Sequence, residues 1–330
     1  MKTKWFAALF LAVPLQSMAL NGYFIGNSLT WDMQPDGLAA LAQQSGDSLN
    51  VGYHIRASQP LVYTANNPDD ITFANSYGGY TQALAQNSWD IVTIQPYIGA
   101  GSTLATDQAA IRQFVDMTHA GPSTNTKFYV YEGWPNVPSW SWPPLPEDNY
   151  QTPWTEAAAN DPNQPTLLSA QYFNVLYQNV KTENSGESIY LIPVGDVLAR
   201  LDAEIRAGHV EGFGSIYDFY RDSTHLSLDV GRFIATVTTY STLFGKSAVG
   251  LDIPEGFFTS DGTATGMPSP LITNIALRDQ LEQIAWDVVS QDWRTGVPAE
   301  VPVPAAAWLM GSGLLGLGAM ARRKLRHAQA

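Results

Sequence analysis

Short apolar runs alternate with longer segments of helical periodicity along most of the chain. Five runs have the length and the apolar content of buried strands: residues 23–25, 49–55, 89–96, 127–132 and 188–194. Apolar residues at helical spacing mark seven further segments: residues 38–42, 80–86, 107–119, 166–180, 196–205, 228–243 and 274–292. This alternation predicts an α/β protein with one doubly wound, parallel sheet of about five strands, rather than two domains.

One segment interrupts the alternation after the fourth predicted strand. Residues 136–150 contain four prolines and two tryptophans, and a further tryptophan stands at each margin. Loops of this length in compact domains are usually lids or binding loops. Trp134, Trp140 and Trp142 are therefore candidate substrate-binding residues that would stack on sugar rings. Packing of these rings against the prolines is the alternative interpretation.

Both ends of the chain have patterns of their own. Lys2 and Lys4 precede an apolar stretch at residues 5–15, and small residues follow at positions 17 and 19, which predicts a signal peptide over residues 1–19. We expect the main domain to cover residues 20–293 and a Pro-containing linker to cover residues 294–304. Residues 305–330 are expected to form an apolar anchor helix with a basic tail, and the preceding residues 301–304 bring this stretch to about the 20 residues that span a bilayer.

The C-terminal pattern, Val301-Pro302-Val303-Pro304-Ala305 followed by the Gly-rich apolar stretch and a cluster of basic residues, resembles the PEP-CTERM class of bacterial sorting signal. The resemblance implies processing by an exosortase-type membrane protease in an organism that makes exopolysaccharide. The expected location is the cell envelope or the exterior, with membrane contact through the C-terminal helix alone.

Charge and composition restrict the functions that the domain can have. Without the two ends, 11 Lys and Arg residues face 30 Asp and Glu residues, a net charge of −19. Such a surface repels nucleic acids and anionic membranes, so nucleic-acid binding is not expected. The chain contains no cysteine, which excludes disulfides, thiol catalysis and Cys-based zinc sites.

Candidate catalytic residues stand at the two ends of the predicted sheet region. Ser28 follows the first strand in the sequence Gly26-Asn27-Ser28, at the carboxyl end where open α/β sheets bind ligands. Asp222 precedes His225 by three residues, so its carboxylate can bond the imidazole Nδ1 and leave Nε2 free to accept a serine proton. Taken singly, Ser28 has the alternative of a turn residue and Asp222 that of a helix cap.

Gly-Asn-Ser-Leu after the first strand together with Asp-x-x-His near the last resembles the SGNH superfamily of GDSL-like esterases and lipases. The resemblance implies a single three-layer α/β/α domain of the flavodoxin-like kind, with Ser28 as nucleophile, His225 as base and Asp222 orienting it. It also implies an oxyanion hole made by the Ser28 N–H, by the Ala57-Ser58 backbone where the family has a glycine, and by Gln95 where the family has asparagine. No cofactor and no metal are expected.

The sequence therefore predicts an exported serine esterase that hydrolyses O-acyl esters, with acetyl groups on a polysaccharide as the specific expectation. A non-catalytic carbohydrate-binding surface protein on the same scaffold is the first alternative. The second is a glycoside hydrolase in which Glu132, at a strand end, acts with Glu147 or Asp148. An α/β-hydrolase is disfavoured because no G-x-S-x-G pentapeptide surrounds a serine of the predicted main domain.

Overall fold

The computed structural model describes residues 19–97, 99–137, 150, 151, 154, 155, 169–254, 257 and 269–298. Contacts divide the chain into two units, Met1–Val297 and Pro298–Ala330, and only Pro298 of the second unit is described. The predicted signal peptide up to residue 18, Trp140, Trp142, Glu147, Asp148 and the predicted anchor helix lie outside the described residues. Among the described residues, no helix is both long enough and apolar enough to cross a membrane.

A six-stranded sheet forms the centre of the domain, in the order β3-β2-β1-β4-β5-β6. Its strands are β1 Leu20–Gly26, β2 Leu49–Ile55, β3 Phe73–Ala74, β4 Ile91–Ile94, β5 Lys127–Tyr131 and β6 Ser188–Ile192. All neighbouring pairs are parallel except β2 and β3, which are antiparallel. The predicted α/β class and the parallel, doubly wound sheet are confirmed. The prediction missed β3 because two residues in a polar segment carry no periodic signal.

Ten α-helices are found in the described part of the chain. They are α1 Ser28–Asp32, α2 Pro35–Gln44, α3 Leu61–Asn66, α4 Tyr80–Gln86, α5 Leu104–Ala120, α6 Ala170–Glu183, α7 Val194–Arg206, α8 Val230–Phe244, α9 Pro270–Thr273 and α10 Ile275–Gln291. Short 3-10 helices cover Ile216–Phe219 and Trp293–Thr295. Helices α2, α7, α8 and α10 pack together in one layer, and α3 to α6 pack together in another.

The two helical layers lie on opposite faces of the sheet. Tyr53 on β2 is hydrogen-bonded to Asp36 of α2, whereas the next residue, His54, contacts Tyr80 of α4. Successive strand residues point to opposite faces, so these contacts separate the two layers. The central strands are buried accordingly: the three residues Tyr23, Phe24 and Ile25 have no exposed surface.

The strand order places a topological switch at β1. The chain runs from β1 outward to β2 and β3, then returns to the other side of β1 for β4, β5 and β6. In open α/β sheets the crevice beyond the carboxyl ends of the strands at such a point is the usual ligand site. The residue that follows β1 is thus placed at this crevice by topology alone.

The C-terminal boundary of the domain differs from the prediction. Residue 294 was expected to begin a linker, but Arg294 donates to Asp196 at 2.6 Å and to Asp292 at 2.8 Å. Thr295 and Val297 are also buried, with 1% and 8% of their surface exposed. The ion pairs and the burial extend the packed domain to Val297. The sequence did not predict this extension, because a short 3-10 segment held by ion pairs has no apolar helical periodicity.

Candidate active site

Ser28 is the first residue of α1, and the turn that presents it is closely packed. Asn27 caps the helix, with its side-chain Oδ1 accepting from the Leu29 N–H at 2.9 Å. Gly26 is required at the turn, since a Cβ there would lie 2.2 Å from Thr30 Oγ1 and 2.8 Å from Gln95 Oε1. The sequence Gly-Asn-Ser therefore has a local reason: a residue without Cβ, a cap, and then the exposed hydroxyl.

Ser28, His225 and Asp222 form one chain of hydrogen bonds. The distance from His225 Nε2 to Ser28 Oγ is 2.8 Å, and that from His225 Nδ1 to Asp222 Oδ2 is 2.8 Å. An ionised Asp222 accepts the Nδ1–H, which assigns the tautomer with the Nε2 lone pair directed at the serine hydroxyl. The side chains of His225 and Asp222 are 27% and 49% exposed, so the site opens to solvent.

The Asp222 carboxylate is also held by its own loop. Asp222 Oδ1 accepts from the Thr224 N–H at 2.8 Å and from the His225 N–H at 2.7 Å. Partial burial by itself would raise the pKa of Asp222, but these two N–H donors and the His225 ring outweigh it and lower the pKa. Asp222 thus stays ionised, as an orienting carboxylate must.

The turn after β2 lies beside the nucleophile and supplies one candidate oxyanion donor. The Arg56 N–H donates to Gly26 O at 2.8 Å, and Asn27 Nδ2 donates to Gln59 O at 3.1 Å, so both ends of this turn are tied to the Ser28 turn. The Ala57 N–H already donates to Thr72 Oγ1 at 3.0 Å. Ser58 has a left-handed backbone with φ of 62°, a conformation that glycine adopts more readily than other residues.

Gln95, expected as the third oxyanion donor, is used inside the protein. Its Oε1 accepts from the Asn27 N–H at 3.0 Å and from Thr30 Oγ1 at 3.1 Å, and its Nε2 donates to Pro96 O at 2.7 Å. The side chain is only 1% exposed. This geometry does not fit the predicted role, because the glutamine side chain is hydrogen-bonded to the Ser28 turn and fixes the backbone of that turn. The Ser28 and Ser58 N–H groups stay as predicted oxyanion donors.

Trp134 was expected to bind substrate, and its position does not fit that role. The side chain has no exposed surface, and its indole Nε1–H donates to Thr224 O at 2.8 Å. The neighbouring Val137 N–H donates to Ser223 O at 2.8 Å. The segment after β5 therefore supports the loop that carries Asp222 and His225. A buried ring has no face free for a sugar.

Glu132 follows β5 and is completely buried. Its Oε2 accepts from the Asp196 N–H at 3.0 Å, in the first turn of α7. Burial raises the pKa of Glu132 well above its ordinary value, and the Asp196 carboxylate adds to the effect. Glu132 is thus a buried acid whose carboxyl group accepts a hydrogen bond in the first turn of α7. This position gives the glycosidase alternative no support.

Sequence reasoning missed Asp32, a carboxylate at the rear of the site. It has no exposed surface and accepts from Arg221 Nη1 at 2.8 Å, from Arg232 Nε at 3.1 Å and from the Leu226 N–H at 3.0 Å. The available signal was weak: an acid four residues after Ser28, and arginines flanking the Asp-x-x-His motif. In the part of the chain that the structure describes, no group of three or more His, Asp or Glu residues is arranged to hold a metal.

Comparisons with known proteins add the fold and little else. No protein-family model matches the chain, and no curated protein matches its sequence. Among solved structures, the chain is similar to a DUF4886 family protein from Bacteroides uniformis, with a TM-score of 0.54 and 17% sequence identity. The match covers 88% of this chain and 99% of that one. The likeness in fold therefore includes almost the whole length of the other protein.

Proposed function

We propose that this protein is a serine hydrolase of the SGNH type that cleaves carboxylic esters without a cofactor. The observation that carries the proposal is the continuous Ser28–His225–Asp222 hydrogen-bond chain at the carboxyl end of β1. A serine with a structural role alone does not require a hydrogen bond to an imidazole whose other nitrogen is bound to an ionised carboxylate. Such an arrangement activates a hydroxyl.

The reaction follows from this geometry. Ser28 Oγ attacks the ester carbonyl carbon while His225 Nε2 accepts the serine proton, and Asp222 stabilises the imidazolium. The Ser28 and Ser58 N–H groups stabilise the oxyanion. The tetrahedral intermediate then expels the alcohol, which takes the proton from His225 and leaves acyl-Ser28. Water activated by His225 attacks this acyl group and returns free serine and a carboxylic acid.

The proposed substrate is an O-acyl group, acetyl in the first instance, on a polysaccharide. The net charge of the chain, −13 in all, disfavours anionic polymers and favours neutral ones. An aromatic surface near the nucleophile supports a sugar substrate: Trp31, three residues after Ser28, stacks on Phe73 with ring centroids 4.7 Å apart, and Phe73 is 42% exposed. In this proposal Trp31 and Phe73, and not the buried Trp134, stack on the sugar.

We further propose that the protein is exported and sorted to the cell envelope by an exosortase-type protease. The support comes from the terminal sequence patterns. Cell fractionation and mass spectrometry of the mature ends would test it. Removal of residues 1–19 and cleavage near residues 301–305 are expected, whereas an intact cytoplasmic chain would contradict the proposal.

The proposed activity is tested with the purified full chain, by release of p-nitrophenol from short-chain esters. Ser28→Ala and His225→Ala are each expected to lower kcat by a factor of about 10³ or more, because each removes a member of one catalytic unit. Ser223→Ala is the matched control, a serine in the same loop whose side chain is outside the triad. Its kcat should stay within about twofold of wild type.

A fluorophosphonate probe gives a readout that does not depend on the natural substrate. Mass spectrometry should find a single adduct on Ser28 in wild type and none in Ser28→Ala. If folded wild type neither turns over esters nor reacts with the probe, the esterase proposal is wrong. The non-catalytic carbohydrate-binding protein then becomes the better hypothesis, to be examined by binding of neutral oligosaccharides.

A further inference from the structure

Asp32 connects the two halves of the candidate active site. It is the last residue of α1, the five-residue helix that begins with Ser28. Its Oδ2 accepts from the N–H of Leu226, the residue next to His225, at 3.0 Å. One buried carboxylate is thus one helical turn from the nucleophile and one residue from the base.

This connection matters because it joins the helix of the nucleophile directly to the loop of the base. Ser28 and His225 are 197 positions apart in the chain and meet through a single side-chain contact of 2.8 Å. Both side chains are partly exposed, so the core does not surround them. A displacement of about 1 Å at such a contact is enough to lower a rate by about two orders of magnitude.

Two arginines complete the connection. Arg221 Nη1 donates to Asp32 Oδ1 at 2.8 Å and to Leu226 O at 2.5 Å, so it forms a second link between the loop and the carboxylate. Arg232 of α8 donates from Nε to the same Asp32 oxygen at 3.1 Å and is 2% exposed. The Arg221 N–H donates to His225 O at 2.9 Å, which closes the loop on itself. These bonds join the two ends of the loop to each other and to Asp32.

We propose that Asp32 is a positioning residue, which sets the Ser28–His225 distance by binding the loop through Leu226 and Arg221. This inference rests on the proposed esterase function. Asp32 is fully buried and touches neither the nucleophile nor the base, so it acts through the placement of His225. Its negative charge is essential to that role, because the two guanidinium groups converge on it.

The test compares Asp32→Asn with Asp47→Asn in the full chain. Asp47 is a matched control: it is 8% exposed and accepts from Lys246 Nζ at 2.7 Å and 2.8 Å, on the loop between α2 and β2. Asp32→Asn should lower kcat about 10- to 100-fold with KM changed less than about threefold, because substrate contacts persist. Asp47→Asn should lower the melting temperature to a similar extent and leave kcat within about twofold.

A second readout follows the geometry without turnover. The Nδ1–H proton of His225, bound to Asp222, should give a downfield NMR resonance in wild type and Asp47→Asn. In Asp32→Asn that resonance should broaden or shift, and a crystal structure should show a longer Ser28 Oγ to His225 Nε2 distance. Unchanged kcat or unchanged triad geometry in Asp32→Asn would overturn the positioning role.

The two proposals can fail separately. Wild type without turnover and without a phosphonate adduct would overturn the esterase function, and the NMR and crystallographic comparison would still decide whether Asp32 positions His225. If Asp32→Asn does not fold, Arg221→Gln removes the 30%-exposed partner instead. That variant should fold and show a several-fold loss of kcat. Wild-type kcat in Arg221→Gln would then count against the proposal.

Discussion

Ser58 combines an uncommon backbone conformation with a position beside the nucleophile. Its φ is 62°, and Gln34 is the other described non-glycine residue with a positive φ. A left-handed conformation costs an ordinary L-residue about 1–2 kcal/mol, so the surrounding contacts must hold it. Here Ala57 and Gln59 on either side are both hydrogen-bonded to neighbouring segments.

Substitution of Ser58 separates the backbone donor from the side chain. Ser58→Gly keeps the N–H and removes the Cβ strain, so kcat should stay within about twofold and stability within about 1 kcal/mol. Ser58→Val keeps the N–H but disfavours the left-handed region, so kcat should fall about tenfold or more. Ester turnover and urea unfolding measure both. Ser76→Val, at an exposed serine in a nearby turn, should change neither, and equal kcat for valine and glycine at position 58 would refute the role of the turn.

Single residues also show where sequence reasoning succeeds. Ser28, Asp222 and His225 were selected on residue type and spacing, and the structure brings the three together. Their catalytic roles remain predictions. Gln95 and Trp134 were selected in the same way but lie inside the protein, because a sequence gives a residue's place in an element and not the direction or burial of its side chain.

The segment after β5 and the loop at residues 220–226 support one another. Trp134 donates to Thr224 O, Val137 donates to Ser223 O, and the Tyr220 hydroxyl donates to Pro135 O at 3.3 Å. These bonds hold the loop in addition to those made by Asp32. The loop has no helix or strand of its own beyond one bridge between Tyr220 and Leu226. Its rigidity therefore comes from its neighbours.

Trp134→Phe tests this support. The variant keeps a buried ring and loses the hydrogen bond to Thr224 O, so stability should fall by about 1–2 kcal/mol and kcat about three- to tenfold. Trp89→Phe is the matched control, since the Trp89 indole is also buried and donates to Ala83 O at 2.9 Å, in α4. Urea unfolding should show similar losses for both. A loss of kcat that is equal in the two variants would point to general destabilisation.

The elements themselves were predictable in proportion to their length. The five longer strands and the long helices carry the apolar periodicity that burial demands. Helices α1, α3 and α9 were missed, with five, six and four residues. Such short pieces are decided by caps and tertiary contacts, of which the Asn27 cap is one. The missing α1 mattered most, because it carries Ser28 and Asp32 on one short helix.

Across the whole molecule, the alternation of strands and helices was enough to predict the architecture. A parallel sheet needs helical crossovers, and their return to either face leaves few possible topologies. The site's general location followed from this topology, since Ser28 comes after the first strand. The charge network of Asp32, Arg221 and Arg232 did not follow, because it joins residues 189 and 200 positions apart. Long-range polar contacts leave no period in a sequence.

The domain also contains acids whose pKa is raised by burial. Burial raises the pKa of Asp107 to about 6, against the opposing hydrogen bonds from Tyr172 and Ser102. Burial likewise raises the pKa of Glu282 to about 8, although the Gly250 N–H opposes it. Both groups hold protons in the folded state at pH values where the unfolded chain has released them. The contribution of these two acids to the free energy of unfolding should therefore fall as the pH rises from about 4 to about 8. His54 acts in the opposite direction up to about pH 6.5, because burial lowers its pKa to about 4.

Asp107→Asn and Glu282→Gln should remove parts of this dependence. Each amide keeps an acceptor for the existing donors and has no charge to bury, so at about pH 8 the stability should exceed that of wild type by up to about 3 kcal/mol for Asp107→Asn and up to about 4 kcal/mol for Glu282→Gln. At about pH 4 both acids are protonated in wild type, and the difference should vanish for Glu282→Gln and nearly so for Asp107→Asn. Asp116→Asn, at a 62%-exposed acid on the same helix as Asp107, should leave the wild-type slope unchanged. Urea unfolding at several pH values measures all four proteins, and a difference between these variants and wild type that does not grow from about pH 4 to about pH 8 would show that the two acids ionise freely in the folded protein.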